Sequence, residues 1–190
     1  NDACGIASLV LSQTDFDCTH VGTVAVVLAI TDNNHNTSTC DAVVTVEDNI
    51  APEVICQDVT VELDENGVGF TSANLIDNGS NDACGVDSLF LSQTEFDCSH
   101  IGPNLVTMTV IDVNGNVADC TATITVEDLI PPIALCQDIV VQLDDLGSVM
   151  INPLMIDAGS NDACGIDTIY LDQVLFDCSE VGDNLVSLTV

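Results

Sequence analysis

Acidic and amide side chains in turn-like segments have the clearest chemical potential in this sequence. Ca²⁺ takes six to eight hard oxygen ligands, and these segments offer carboxylate, amide and carbonyl oxygens without soft ligands. We predict calcium at two junctions, where one domain of the chain is expected to meet the next near residues 48 and 128. The first ligand set is Glu47, Asp48, Asn49, Asp77, Asp82, Asp112, Asn114 and Asn116, and the second is Glu127, Asp128, Asp157 and Asp162.

Two other interpretations of the acidic turns stay open. In the first, Asp, Asn and Gly serve only as turn-forming residues and their charges are solvated. In the second, the adjacent acids Asp64 and Glu65, with Asp144 and Asp145 as their equivalents, bind a cation at the opposite end of the domain.

The charge balance limits the partners of the chain. It has 31 acidic residues, no Lys or Arg, and a formal net charge of −31. Its carboxylates must therefore be solvated, hydrogen-bonded or neutralised by cations. Binding to nucleic acid is excluded, because no side chain can displace the counterions of phosphates. Attraction to anionic lipid is excluded for the same reason.

Ten cysteines indicate an oxidising compartment. None of them forms a C-x-x-C pair, which argues against a zinc ribbon or a thioredoxin-like motif. Disulfide-bonded proteins are typically secreted or displayed on the cell surface, so we expect an extracellular location. No apolar run is long enough to span a membrane, and we expect targeting and anchoring signals to lie outside these residues.

An internal repeat with a fixed period organises the chain. The segment NDACG begins at positions 1, 81 and 161, and every cysteine follows the same period. Proline-containing segments after Val-Glu-Asp, at 49–52 and 129–132, mark linkers, because proline cannot continue a central strand. We therefore predict the end of one repeat at 1–48, a complete repeat at 49–128 and the start of a third at 129–190, as a window on a longer array.

Strand patterns set the fold class. Residues 120–126 alternate strictly, with Cys120, Ala122, Ile124 and Val126 expected to face inward. Further strands are expected around Val59–Leu63, Val86–Leu91 and Leu105–Ile111, with a tight turn at Asn114-Gly115. Without helical periodicity, the prediction is all-β: tandem immunoglobulin-like Greek-key β-sandwich domains.

Four cysteines in one repeat allow three pairings. We favour Cys56–Cys120, because the first and last strands lie side by side in such a sandwich, and Cys84–Cys98 as a short local bridge. The equivalent local bridges are Cys4–Cys18 and Cys164–Cys178. The partners of Cys40 and Cys136 are not assigned by this scheme.

No catalytic arrangement recurs with the period, so we expect the protein not to be an enzyme. No Ser/His/Asp set repeats, and two carboxylates at a useful distance mean little among so many acids. His20 and His100 are equivalent, but the third copy has Glu180, which argues against a histidine metal site.

The combined motifs resemble a known family. They comprise Ala-Cys-Gly, Leu-Ser-Gln-Thr-x-Phe-Asp-Cys, Asp-x-Asn-x-Asn and Cys-x-Ala-x-x-Thr-Val-Glu-Asp followed by Pro. This pattern resembles the HYR-like repeats of very large Bacteroidetes surface proteins, which include gliding-motility adhesins exported by type IX secretion. The resemblance covers the whole chain and implies an immunoglobulin-like fold in a filament on the cell surface.

Glycosylation is a further expectation. The resemblance to Bacteroidetes proteins implies O-glycosylation at Asp, then Ser or Thr, then an apolar residue. Ser88 and Thr168 fit this pattern at equivalent positions. Asn36 and Asn78 match the N-glycosylation triplet, which is a weaker signal.

The leading hypothesis for function is structural. The chain would be a stalk or filament of an extracellular adhesin, stiffened by disulfides within domains and calcium between them. Its partners would be neighbouring repeats of the same chain, with surface polysaccharide or other cells as further candidates. The alternatives are a carbohydrate- or ligand-binding module, which the single Tyr and absent Trp disfavour, and an accessory region of a secreted enzyme.

Overall fold

The structure, a computed structural model, describes residues 3–190 and is an all-β array of immunoglobulin-like β-sandwich repeats. The chain divides into two compact units. Unit 1 comprises the chain to Gln57 with Ile76–Leu91 and Thr107–Thr121, and unit 2 comprises Asp58–Leu75, Ser92–Val106 and Ala122–Val190. Each unit draws on more than one sequence period, and the repeat boundaries at 48/49 and 128/129 stay predictions.

The first part of the chain forms a three-stranded antiparallel sheet. Strands β1 (Ile6–Leu11), β2 (Gly22–Asp32) and β3 (Thr37–Val46) lie in the order β1-β2-β3. The sequences are rich in Val, Ile, Leu and Thr, residues whose branched side chains suit a pleated surface. Val26 of β2 is buried at 2% exposure and pairs in register with Ala42.

Residues 49–128 supply six strands in two sheets. The elements are β4 (Val59–Glu62), β5 (Val68–Phe70), the one-turn helix α1 (Ala73–Ile76), β6 (Val86–Leu91), β7 (Glu95–Asp97), β8 (Gly102–Asp112) and β9 (Val117–Glu127). One sheet has the order β4-β9-β8-β6, and the other pairs β5 with β7. First and last strands are neighbours as predicted, since β4 pairs in parallel with β9 from Val59↔Ile124 onward.

Three of the four residues of β9 that were predicted to face inward are buried. Ala122, Ile124 and Val126 are buried at 0–2% exposure, whereas Cys120 is half-buried. Side chains two positions apart lie on one face of a strand, so the intervening threonines point to the other face. In unit 2 these residues join the core side chains Val61, Leu63, Phe96 and Val106, and the core of unit 1 includes Ile76, Met108 and Val110.

The last part of the chain repeats some of these elements one period later, namely the counterparts of β5, α1, β6, β7 and β8. It contains β10 (Ser148–Met150), the helix α2 (Pro153–Ile156), β11 (Tyr170–Leu171), β12 (Leu175–Asp177) and β13 (Leu188–Thr189). β10 pairs with β12 and β11 with β13. The helices α1 and α2 were not predicted. Each is a single turn of four residues, too short to give a helical period in the sequence.

A 3₁₀ turn begins at the cysteine of each Phe-Asp-Cys motif (Cys18–His20, Cys98–His100 and Cys178–Glu180) and gives His20 and His100 a structural role. The Asp97 carboxylate accepts a hydrogen bond from the Ser99 N–H at 2.9 Å, and the Asp97 N–H donates to His100 Nδ1 at 3.2 Å. In the third copy the Asp177 N–H donates to the Glu180 carboxylate at 3.0 Å. His and Glu are thus interchangeable here because both provide an acceptor at the third position after the cap, which is a local structural role.

The disulfide pattern corrects part of the sequence-based assignment. The predicted Cys56–Cys120 bridge is present, with a Cα–Cα distance of 5.9 Å. The predicted local bridges Cys4–Cys18, Cys84–Cys98 and Cys164–Cys178 are wrong, because Cys18 is bonded to Cys84 and Cys98 is bonded to Cys164. Both observed bridges join one period of the sequence to the next.

Strand geometry explains why the local bridge does not form. The segment between Cys84 and Cys98 contains β6 and β7, which belong to different sheets. The strand β6 alone advances the chain by about 20 Å. A disulfide requires Cα atoms roughly 4.4–6.8 Å apart. The chain after β6 does not return to Cys84, because β7 pairs with β5 in the other sheet and the Cα atom of Cys98 lies 5.1 Å from that of Cys164.

Glu-specific proteolysis without reduction tests the pairing. Cleavage after Glu47, Glu65, Glu95 and Glu127 places Cys18, Cys84 and Cys98 on separate peptides. We expect mass spectrometry to find peptide 1–47 bonded to peptide 66–95. Trypsin is unsuitable, because the chain contains no Lys or Arg. A bond between peptides 66–95 and 96–127 that joins Cys84 to Cys98 would contradict the structure.

Candidate functional site

A pair of aspartates marks the first predicted junction. Asp48 and Asp82 are half-buried, and their carboxylate oxygens and the Cys84 sulfur all lie within 4.8 Å of one another. The Cys84 sulfur is part of the bridge to Cys18, so it carries no thiolate charge. The junction therefore presents two close carboxylates with no basic side chain to offset them.

Backbone hydrogen bonds hold both members of the pair. The Asp82 carboxylate accepts from the Cys84 N–H at 2.7 Å and from the Gly85 N–H at 3.2 Å. The Asp48 carboxylate accepts from the Ile50 N–H at 3.0 Å. These are the turn contacts that short acidic side chains make with amides two or three positions ahead. Each carboxylate is thereby oriented while keeping lone pairs for another partner.

The predicted hairpin turn between β8 and β9 adds a third segment to this region. The Asn116 side-chain amide donates to the Asp48 carbonyl at 3.1 Å. The Val113 N–H donates to the Gly85 carbonyl at 3.1 Å. The linker, the loop around Asp82 and the hairpin therefore converge within unit 1, as the sequence analysis expected.

Asp112 organises that hairpin from a buried position. Its carboxylate accepts from the backbone N–H groups of Asn114 and Asn116 and from the Asn116 side chain, each at 2.8 Å. Burial at 2% exposure favours the neutral acid, but these hydrogen bonds outweigh it and hold the pKa of Asp112 below its usual value. The Asn114 Oδ1 atom nearby in the hairpin is buried and accepts no hydrogen bond.

The second predicted junction repeats the aspartate pair within unit 2. Carboxylate oxygens of Asp128 and Asp162 lie within 4.8 Å of each other and of the Cys164 sulfur. Asp162 accepts from the Cys164 N–H at 2.8 Å, and Asp128 accepts from the Ile130 N–H at 3.0 Å. The same geometry thus recurs one period along the chain.

Other predicted ligands lie outside these pairs. Asp77 and Asp157 each accept from the N–H of a nearby serine, Ser80 and Ser160, at 2.8 Å, and thereby order a turn. Burial opposes ionisation of Asp77, yet the hydrogen bonds from Ser80 hold the pKa of Asp77 below its usual value. Glu47, Asn49 and Glu127 are exposed, and the Asn49 amide donates to the Glu47 carboxylate at 3.3 Å.

The link between the acid pair and the disulfide was not predicted from the sequence. Asp82 stands just before Cys84, whose bond to Cys18 ties this loop to the preceding period. A fixed period makes the long and the short cysteine spacings equally regular, so the sequence contains no signal that separates the two pairings. Of the predicted glycan acceptors, Thr168 is exposed and Ser88 is half-buried in β6. Their glycosylation stays a prediction.

Comparison with known proteins gives one related sequence. The chain is 32% identical to hyalin of Strongylocentrotus purpuratus over 157 residues, which is 78% of this chain and 13% of hyalin. No protein-family model matches the sequence. The chain thus spans a small part of its relative's length.

Two solved structures resemble the chain in backbone course, both at 14% identity. The extracellular cadherin domains 1–4 of protocadherin gamma B7 match with a TM-score of 0.34 over 88% of this chain and 54% of that one. Domains EC1–3 of mouse clustered PcdhgC3 match with a TM-score of 0.31 over 55% and 42%. Among residues 3–190, no helix has the length and apolar character needed to cross a membrane. The relationship to hyalin, the disulfides and the β-sandwich fold support an extracellular, adhesion-type repeat of the HYR and immunoglobulin-like kind.

We expect Asp112→Asn to lower the free energy of unfolding at pH 7, measured in the presence of a chelator. The depressed pKa of Asp112 gives stability that is complete above the unfolded-state value of about 3.9 and is lost as pH falls through the folded-state value. The difference between parent and variant should therefore shrink below about pH 4. The exposed Asp87→Asn is the matched control, and a difference that stays constant from pH 7 to pH 3 would refute this role.

Proposed function

We propose that the chain is a load-bearing repeat region of an extracellular adhesin filament, with calcium bound at its repeat junctions. The observation that carries this proposal is the recurrence, one period apart at 48/82 and 128/162, of an aspartate pair beside a disulfide that joins successive periods. A repeated covalent and ionic junction suits a structural array better than a catalytic site, which needs to occur only once. The role is therefore non-enzymatic.

The chemistry of the pairs favours calcium over a softer metal. Asp48 and Asp82 offer carboxylate oxygens, and the neighbouring sulfur is held in a disulfide. Calcium takes oxygen ligands at about 2.3–2.6 Å in flexible geometry, whereas zinc and copper favour thiolate and imidazole. The hairpin beside these aspartates holds a further oxygen without a hydrogen-bond partner, Asn114 Oδ1, and contacts the linker through the Asn116 amide and the Asp48 carbonyl.

Repulsion between the two carboxylates also favours calcium binding. The chain has a formal charge of −31 without a single Lys or Arg, so two carboxylates within 4.8 Å of each other repel without internal compensation. A divalent cation removes that repulsion, and its binding energy adds to the stability of the junction.

The resemblance to Bacteroidetes gliding adhesins and the similarity to hyalin support a filament on a cell surface. In this role the repeats separate a binding tip from the cell or form the adhesive surface themselves. Type IX export, gliding and contact with surface polysaccharide are the finer parts of the proposal. Adhesion of cells that display the native protein, compared with cells lacking it, tests the adhesive role directly.

Thermal unfolding with and without calcium tests the metal sites. We expect calcium to raise the melting temperature of the oxidised chain, because an ion at 100 times its dissociation constant stabilises the folded state by about 2.7 kcal/mol. Magnesium at the same concentration should do less, because it demands a more rigid octahedral geometry. Asp48→Asn with Asp82→Asn should reduce the calcium-dependent shift at the first junction, and Asp128→Asn with Asp162→Asn at the second.

The single variant Asp82→Asn also breaks the first pair and removes one negative charge. Its matched control is Asp87→Asn, because Asp87 is exposed on β6 and lies outside both pairs. It should keep the full calcium response. An unchanged melting temperature in calcium, or equal losses in Asp87→Asn and Asp82→Asn, would reject calcium at the junctions. The filament function would then rest on the disulfides alone.

A further inference from the structure

Two disulfides connect successive periods in the same way. Cys18–Cys84 and Cys98–Cys164 have the same sequence separation of 66 and join the cysteine of a Phe-Asp-Cys motif to the cysteine of the following Asp-Ala-Cys-Gly motif. Their Cα–Cα distances are 5.2 Å and 5.1 Å. The first bridge lies within unit 1, and the second joins Cys98 and Cys164 within unit 2.

These bridges create a short covalent path along the array. From Cys18 the path crosses to Cys84, follows the backbone to Cys98, and crosses to Cys164. Residues 19–83 and 99–163 form loops outside this path. Each period therefore contributes only the backbone from 84 to 98 to the shortest covalent connection.

We propose that this connection, named here the tension strap (residues 84–98 with the bridges Cys18–Cys84 and Cys98–Cys164), carries tensile load and limits extension of the array. Pulling force follows the shortest covalent path once that path is taut. A fully extended chain spans at most about 3.6 Å per residue, so an oxidised repeat reaches about 50 Å plus one bridge, against about 290 Å when reduced.

The strap includes one buried core residue, Phe96 of β7, but leaves several of the buried strands outside the force path. It contains β6 and β7. The strands β4, β8 and β9 lie in the loops outside the path, with the buried residues Val110 and Ile124. Tension thus acts first on the β6–β8 and β5–β7 pairings, while the β4-β9-β8 part of the sheet is outside the taut connection.

A glycine beside the Cys98 sulfur, repeated beside the equivalent Cys178 sulfur, supports the Cys98–Cys164 bridge as a built-in feature of the repeat. Gly67 has a φ of +74°, and a Cβ there would lie 2.7 Å from the Cys98 sulfur. Gly147, its equivalent in the next period, has a φ of +78° and would bring a Cβ to 2.8 Å from the Cys178 sulfur. Glycine is required at both positions by conformation and by space. Cys178 is exposed and thus presents the same arrangement to the Asp-Ala-Cys-Gly loop of another repeat.

In this proposal the disulfides and calcium have different mechanical roles. The aspartates Asp48 and Asp128 belong to the loops outside the taut path. Calcium there acts on the stability and orientation of the junction and leaves the maximum extension unchanged. The use of the strap in an adhesive filament rests on the proposed function, but the extension limit follows from the disulfide connectivity whatever the array adheres to.

Single-molecule force spectroscopy on the oxidised full chain tests the strap. The chain is held through peptide tags at its first and last residues, and remaining thiols are alkylated after folding. At about 3.6 Å per residue, we expect a final contour length of roughly 20 nm when oxidised and roughly 70 nm after reduction. A chelator should leave both lengths unchanged.

Paired serine variants separate the strap from other effects of losing a disulfide. Cys56→Ser with Cys120→Ser removes a bridge that is not on the shortest path, so the oxidised contour length should stay near roughly 20 nm even if the fold is weakened. Cys18→Ser with Cys84→Ser should lengthen it by roughly 17 nm, because the chain then runs through Cys56–Cys120.

Contour length is read after complete unfolding, so it does not depend on the stability of the variants. Local pairing of Cys4–Cys18, Cys84–Cys98 and Cys164–Cys178 would give an oxidised contour length of roughly 35 nm. Removing Cys56–Cys120 would then increase that length. Either result overturns the strap. If the contour lengths are as expected but cells lacking the protein adhere normally, the strap stands and only the proposed function is rejected.

Discussion

The disulfides between successive periods are the constraint on which the junctions depend. Cys84 is bonded to Cys18, and the Asp82 carboxylate accepts hydrogen bonds from the Cys84 and Gly85 N–H groups. The bridge therefore fixes the loop that places Asp82 beside Asp48. The same relation holds for Cys164, Asp162 and Asp128. Covalent continuity and a candidate ion site are thus two properties of one short loop, and both recur with the period.

The absence of Lys and Arg shapes the remaining electrostatics. Most structured aspartates find backbone N–H groups in place of cations: hydrogen bonds from Val68 and Asn66 hold the pKa of Asp64 below its usual value, and the Ser99 hydroxyl and N–H do the same for Asp97. Hydrogen bonds to the charged form are one of the ways a protein favours an ionised acid. Asp48 and Asp82 differ because each also faces another carboxylate, which leaves a place for an external cation.

Much of the fold follows from local patterns that a sequence displays directly. The alternation at Ala122, Ile124 and Val126 predicts a half-buried strand because side chains alternate between the faces of a sheet, and these residues are buried. The Asn114-Gly115 turn is equally local, and Gly115 adopts a φ of +90°. The one-turn helices at 73–76 and 153–156 escaped prediction because four residues are too few to show a period.

The sequence by itself determined the repeat period, the β class, the acidic junction segments and the pairing of first with last strand through Cys56–Cys120. Only the tertiary structure decided how the remaining cysteines pair. A periodic sequence gives Cys84 two partners at regular spacings, Cys98 within its own period and Cys18 in the preceding one. The choice depends on distance in space: after β6 the chain enters a different sheet, where β7 pairs with β5, so Cys98 ends beside Cys164 while Cys84 lies beside Cys18.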